Sequence, residues 1–410
     1  MSAVASKRVL ILELGADGHH PFYVRLLLES GLADDARIVL AGQDSLYTHR
    51  AIAECPVPFE RYPLELGQGQ HLRWARNPTA VFRRSWDFGR IYRSAQAELS
   101  RTEPFDLVIV PYLDDCLLGL AAPRRPFGAT PWLSITMRTR FHFDAMGVSA
   151  PAQRFTGVRR WLTYRILSQP TTAALLTIDP TLAQFAGRQR APMFRKVRYL
   201  PDPAPQHPPT VSRLQARQQL GIPADARVVL VYGDISSRKG IFALVEAAAT
   251  AECSERVHLL LAGRNRHAHQ FETHAAWQAL LARQRIHLLE GFIDDEQERA
   301  LMVAADCMWV GYIDFYGVSS VMALAARNAM PVMASESGLV GHLARAHDLG
   351  ALVDPRNSAS IVSALNRLVN EPEFFTRAGR NGVTVFQDHA PIEFQRRFMN
   401  AVRQSWGSGA

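Results

Sequence analysis

The sequence predicts an α/β protein made of two doubly wound domains, and three observations carry that reading. Short runs rich in Val, Ile and Leu recur along the 410 residues, with stretches of helical period between them. Strands that alternate with helices in this way form βαβ units and a mainly parallel sheet. A break, LPDPAPQHPPTV from Leu200 to Val211, interrupts the pattern with five prolines in twelve residues. Such a run cannot lie inside a helix or strand, so it marks a boundary. The division read from the sequence is 1–203, 204–385 and a helical tail over 386–410. Ligands of such sheets bind at the carboxyl ends of the strands, so two of them imply a cleft with a sheet end on either side.

The elements follow in order. RVLILEL (8–14) is the first strand, and PFYVRLLLESGL (21–32) is the helix after it. Further strands are expected at 36–42, 105–112, 131–137, 174–179 and 196–201. Beyond the prolines, VSRLQARQQLGIP reads as a helix stopped by Gly221 and Pro223. Strands follow at 227–233, 257–263, 286–291, 306–312, 331–335 and 349–355. Helices are expected up to Ala249, around 274–284, over 295–305, 319–329 and 358–372, and last over PIEFQRRFMNAVRQSW (391–406). That last helix stands far enough from the one before it to cross back and brace the first domain.

Composition narrows the function. Hydrophobic residues make up 48% and charged residues 20%, as in globular proteins. No apolar run reaches the ~18–20 residues needed to cross a bilayer. RVLILEL is too short for a signal-peptide core. The four cysteines are scattered, which fits a reducing cytoplasm. The net charge of +8 favours an anionic ligand, nucleic acid or an anionic membrane face. Arginines mix with aromatics in LRWARNPTAVFRRSWDFGRIYRSAQAELSR (72–101) and RFTGVRRWLTYRI (154–166). That mixture suits an amphipathic core helix with a basic outer face, a peripheral contact with the inner face of a membrane, or stacking on bases. The first two outrank nucleic acid.

Five stretches can carry chemistry. GDISSRKG (233–240) turns from a strand into a helix, and free N–H groups at a helix start favour an anion. Gly233 permits the turn, and Arg238 and Lys239 add two cations; the alternative is a solvated pair on a loop. GYIDFYGVSSVMALA (311–325) makes a second helix start, where Ser319 and Ser320 either cap the helix or help cradle a phosphate. In ELGADGHHPFYVRLL (13–27), Gly15 and Gly18 let a bound group approach the backbone. His19 and His20 beside them can donate to an anionic or hydroxylated ligand. Adjacent histidines rarely share one metal, and no carboxylate–histidine cluster supports one, so no metal is expected. VPYLDDCLLGL places Asp114 and Asp115 just past a strand, to bind hydroxyls, act as a base or cap a helix; Asp115 is placed for the cap. SITMRTRFHF places Arg138, Arg140 and His142 after another strand. The alternation of the arginines puts both on one face of an extended segment, where they can line the cleft and meet an acceptor.

Taken together, RQQLGIPADARVVLVYG, GDISSRKGIFALVEAAA, LLLAG, LLEGFIDDEQERALMVAADCMWVGY, MPVMASESGLVGHL and LGALVDPRNSASIVSALNRLV resemble, in that order, the donor domain of the retaining, nucleotide-sugar-dependent glycosyltransferases of GT-B fold. The resemblance spans about Arg213 to Glu371. It implies two Rossmann-like domains, Lys239 on the family's phosphate-binding lysine, and no cofactor beyond a nucleoside-diphosphate sugar as co-substrate. It also implies transfer to a glycan, lipid-linked or natural-product hydroxyl. Arg238 and Lys239 would meet the leaving-group charge, and His19 and Asp114 stand among the catalytic candidates. The acceptor would lie near His20, Arg138, Arg140 and His142. The sequence departs from the family at three places. Asp234 replaces an arginine five positions before the lysine. Tyr316 and Leu324 fall where two glutamates are usual, so Asp314 or Glu336 would read ribose or sugar hydroxyls instead. Asp114 replaces a histidine. These departures keep a second reading open, a GT-B-fold protein that transfers another group or only binds nucleotide.

Overall fold

The structure, a computed structural model, describes residues 7–65 and 78–407. The described chain divides into two compact units. One comprises the residues up to Met146, Pro151–Pro201 and those from Pro391 on; the other comprises Gly147–Ala150 and Asp202–Ala390.

The first unit is a seven-stranded sheet in the order β3-β2-β1-β4-β5-β6-β7. Its strands are β1 (Lys7–Glu13), β2 (Ala36–Gly42), β3 (Glu60–Pro63), β4 (Leu107–Val110), β5 (Trp132–Thr136), β6 (Thr172–Thr177) and β7 (Val197–Tyr199). All pairs are parallel, with Val9 opposite both Ile38 and Leu107. β1 is buried on both faces, which is why it reads as an unbroken apolar run. β3 carries no such signal. It is a four-residue edge strand, mostly exposed and ending in Pro63, where no ladder donor is needed.

Four helices matter below: α1 (His20–Leu27), α2 (Pro78–Leu99), α3 (Leu117–Ala121) and α4 (Thr156–Ser168). The helix expected over 21–32 breaks early. Leu28–Leu32 forms a wider turn in which Gly31 sits at φ 85°. The C-terminal helix, Pro391–Gly407, buries Phe394, Phe398 and Val402 in this same unit, with Phe394 edge-on to Tyr23 at 5.8 Å.

The second unit is a six-stranded parallel sheet in the order β10-β9-β8-β11-β12-β13. Its strands are β8 (Arg227–Tyr232), β9 (Val257–Gly263), β10 (Ile286–Glu290), β11 (Cys307–Val310), β12 (Val332–Ser335) and β13 (Gly350–Val353). Helices α5 (Ile241–Ala249), α6 (Ser320–Arg327) and α7 (Gly338–Ala346) bound the region of interest. The period of two is visible in the packing. Val229 and Val231 enter one core, while Val228 and Leu230 enter the core on the other face. The segment Gly147–Ala150 is held here by the Gly338 N–H, which donates to the Ser149 carbonyl at 2.6 Å.

In each sheet the chain reverses direction of travel once, between β1 and β4 and between β8 and β11. Crevices for ligands open at the carboxyl ends of such strand pairs. No described helix is long and apolar enough to cross a membrane.

Candidate functional site

Each unit gathers polar residues at its switch point. In the second unit, β8 runs into Gly233, and Ser237–Lys239 makes one tight turn before α5. Gly240 joins turn to helix at φ 62°, and a Cβ there would sit 2.7 Å from the Gly311 carbonyl oxygen, so glycine is required. The two cations have opposite surroundings. Arg238 is exposed, with its guanidinium 4.7 Å from the Phe315 ring centre, a cation–π contact. Its carbonyl accepts the Ile313 N–H at 2.8 Å, which ties the turn to the loop after β11.

Lys239 is only 3% exposed. Its Nζ donates to the Tyr232 carbonyl, and its own carbonyl accepts Trp309 Nε1 at 2.6 Å. Burial, with Arg238 adding like charge, pulls its pKa down to about 8. The nearest candidate counter-ion, Asp234, is an exposed residue that takes Arg266 at 2.6 and 2.8 Å. Lys239 thus holds a desolvated charge with no carboxylate bonded to it among the described residues.

The loop after β11 carries Asp314 at φ 55°, held by Arg356 at 2.9 Å and by the Tyr316 hydroxyl at 3.1 Å. Those two donors hold the exposed carboxyl below its ordinary pKa, Arg356 first. Ser319 caps α6 through the Met322 N–H at 3.2 Å, and its oxygen also meets the Tyr312 hydroxyl at 2.9 Å. Its hydroxyl is therefore spent on capping, while Ser320 stays partly exposed at the helix start. Glu336 is exposed at the turn before α7. Gly338, two residues on, packs so closely that a Cβ would lie 2.7 Å from the Tyr316 Cα. Leu324 is buried in the core beneath α6.

In the first unit a buried cluster forms after β1 and β4. Glu13, 2% exposed, accepts the Gly15 N–H at 2.6 Å on Oε1, while its Oε2 has no hydrogen-bond partner among the described residues. His20 Nδ1 lies 3.0 Å from that same Oε1, at ion-pair distance though off the line of a hydrogen bond, and its Nε2 lies 3.8 Å from Asp115. The imidazole packs 4.1 Å from the Tyr112 ring. Burial lowers the His20 pKa, but the Glu13 and Asp115 charges more than offset that, and the net shift is upward. Asp115 also takes Arg84 at 2.8 Å and Arg138 at 3.4 Å.

Several expected positions read differently in three dimensions. Gly15 serves the protein: a Cβ there would sit 2.3 Å from the His20 ring. Gly18 has φ 60° and open space around it. His19 is exposed at the N-cap of α1, outside the buried cluster, and His20 occupies the cluster in its place. Asp115 does not cap the next helix, whose N-cap is Cys116; it forms ion pairs instead. Asp114 binds the N–H groups of Met137 (2.8 Å) and Arg138 (3.1 Å), clamping the end of β4 to that of β5. The strand ends at Thr136 and the chain turns at Phe141–Phe143, which carries His142 away from the two arginines. His142 is fully buried, 3.1 Å from Asp179 and 3.0 Å from Thr181, and presents no surface to an acceptor. Arg140 is half-buried and Arg138 stays partly exposed over the Tyr112 ring. Glu13 was not a sequence-level candidate, because a glutamate at the end of a buried strand gives no sign of which way it turns. Among the described residues no group of three or more His, Cys, Asp or Glu is placed to hold a metal.

This pair of parallel sheets, with an anion-suited turn after the first strand of the second, has the GT-B fold seen in glycosyltransferases. Residues 212–384 match the model of the family described as glycosyl transferases group 1. Among solved structures, sucrose-phosphate synthase (tll1590) from Thermosynechococcus elongatus is 19% identical, with a TM-score of 0.70 over 98% of this chain and 100% of that one. Anabaena Alr3699/HepE in complex with UDP is 15% identical, with a TM-score of 0.67 over 97% and 99%. WaaG, a glycosyltransferase involved in lipopolysaccharide biosynthesis, is 15% identical, with a TM-score of 0.62 over 96% and 98%. At such identities these likenesses establish the fold. Among curated protein sequences none matches this chain.

Proposed function

We propose that the protein transfers a sugar from a nucleoside-diphosphate sugar to an acceptor hydroxyl, with retention at the anomeric carbon. The observation that carries this is Lys239, a buried cation with no bonded carboxylate among the described residues, at a turn that resembles the phosphate-binding turn of such donor domains. A diphosphate supplies the missing countercharge. Structures of Alr3699/HepE with UDP and with UDP-glucose support that class of donor. Retention rests on the family resemblance.

In this reading the diphosphate contacts Lys239, Arg238 and the free N–H groups where α6 begins at Ser320. The bond from the anomeric carbon to the phosphate oxygen breaks, and negative charge grows on the diphosphate. Donors already in place stabilise that charge without reorganising, by several kcal/mol in sum. The acceptor oxygen bonds to the same carbon, and its proton passes to the departing phosphate oxygen. With two side-chain cations on the diphosphate, the arrangement needs no metal. Asp314, Tyr316 and Glu336 are the groups proposed to read ribose and sugar hydroxyls. In the first unit, Arg138 and the Glu13–His20–Asp115 cluster are proposed to orient the acceptor, a glycan, lipid-linked or natural-product hydroxyl.

One observation favours a second reading. Neither Tyr316 nor the buried Leu324 brings a carboxylate to the ribose. A protein of this fold that binds nucleotide without moving sugar would show the same pattern. A panel of nucleotide-sugars, assayed for nucleoside diphosphate release with mixed acceptors, decides. Turnover with one donor supports sugar transfer, whereas tight binding of a nucleoside diphosphate with no turnover on any donor overturns it.

A further inference from the structure

We propose that the outer face of α2 and α4 docks on an anionic lipid bilayer. The proposal stands apart from the sugar-transfer reading, because it uses other residues and a different part of the fold.

The two arginine-rich, aromatic segments lie far apart in sequence, and the fold brings them side by side around the short helix α3. The Phe82 ring on α2 meets the Phe155 ring at the start of α4, edge-on at 5.5 Å. Gly89 of α2 packs on Gly119 of α3, where a Cβ would come within 2.5 Å of backbone, so α2 lies tightly against it. Arg165 of α4 donates to the Ala121 and Ala122 carbonyls at the end of α3. These contacts fix the face.

Helical spacing sets what the face shows. On α2, Arg83, Trp86 and Arg90 fall at i, i+3 and i+7 and all are exposed. On α4, Phe155, Val158 and Trp161 point out while Leu162 and Ile166 enter the core. Trp161 is 59% exposed, and Trp86 43%. Exposing two tryptophans and a valine to water costs free energy unless something covers them.

Charge selects the occupant. The sequence from Pro151 to Ser168 holds four arginines and no carboxylate. On α2 the stripe meets one acid, Asp87, 3.9 Å from both Arg83 and Arg90. Outward tryptophans among arginines match the headgroup layer of an anionic membrane, where indoles settle and each arginine gains Coulombic attraction. A second copy of the chain fits badly, because a two-fold contact would set these arginines against themselves. The part of the 72–101 stretch before Pro78 lies outside the described residues.

The test is flotation of the full chain with vesicles of phosphatidylcholine containing about a third phosphatidylglycerol, and with phosphatidylcholine alone. We expect flotation with the first at moderate salt and little with the second. R83Q/R160Q should weaken binding about twenty-fivefold, from about fivefold per arginine. W86S/W161S should weaken it at least about tenfold. Both should melt at the wild-type temperature and keep wild-type nucleoside diphosphate affinity. Three results would each overturn the proposal: no flotation with anionic vesicles, flotation untouched by either double variant, or oligonucleotide binding without vesicle binding. Self-association abolished by W86S/W161S, with no lipid binding, would assign the face to a second copy.

Discussion

Lys239 lets stability and binding be set against each other in one substitution. Its pKa drops from 10.5 to about 8 because the folded chain disfavours its charge. That gap corresponds to about 3 kcal/mol of cost at neutral pH. Lys239→Met removes the charge and keeps the apolar stem. It also removes the donor to the Tyr232 carbonyl, which costs about 1–2 kcal/mol. The balance is a variant more stable than the wild type by about 1–2 kcal/mol, or ~2–6 °C in melting temperature for a unit of this size. The sign holds against pH. The lysine's cost is present below its folded pKa and is relieved as pH rises from about 8 toward 10.5, so the variant's advantage should vanish in that window and the wild type, which keeps its bond to the Tyr232 carbonyl, should become the more stable protein above it. Nucleoside diphosphate should stabilise the wild type and not the variant, and wild-type affinity should fall above pH 8 as the ammonium is lost. Thermal melts across pH, with and without nucleoside diphosphate, measure all of this. A variant less stable by more than ~1 kcal/mol, yet still stabilised by nucleotide, would show that Lys239 supports the turn and not a ligand.

Gly15→Ala places a methyl against the His20 ring, so it should cost about 1–3 kcal/mol in chemical denaturation. An unchanged midpoint would mean that the ring has room to move. His258 and His287 stack across β9 and β10, with Nδ1 and Nε2 3.0 Å apart. Burial, then His287 and Arg285, pull the His258 pKa down to about 4. Between the ordinary 6.5 and about 4 the unfolded chain gains a proton that the folded chain refuses, so stability falls as pH drops through that window. Allowing for partial exposure the loss is about 1–2 kcal/mol, and His258→Leu should remove it from a denaturation series taken down to about pH 4.5.

Most strands were legible because they are buried on both faces and show as runs of Val, Ile and Leu. Their ends shifted by a residue or two, since apolar residues such as Phe105, and polar ones such as Asp306, sit just outside the ladder. β3 stayed hidden because an edge strand need not be apolar. The helix start at Ser319–Ser320 was legible, but the close packing of Gly338 on Tyr316 depends on a backbone approach that the sequence does not encode locally. The same holds for Glu13, Asp115 and His142. Each lies within a few residues of a strand end, where one change in backbone direction decides between core and surface. The turn at Phe141–Phe143 sends His142 inward to Asp179, a partner 37 residues away. The SSRKG turn was legible as cationic; that one cation is buried and the other exposed follows from the tight turn Ser237–Lys239, which sends adjacent side chains in different directions.

The C-terminal helix belongs to the unit that the N-terminus begins, which has a consequence for biosynthesis. At ~5–20 residues per second, the ~190 residues between Pro201 and Pro391 take roughly 10–40 seconds to translate. Throughout that interval the surface that will receive Phe394 and Phe398 is without its cover. The second unit can complete its sheet while the first still waits for its last element. A ribosome that stops short of Pro391 therefore releases a chain whose later half is finished and whose earlier half is exposed to chaperones and proteases.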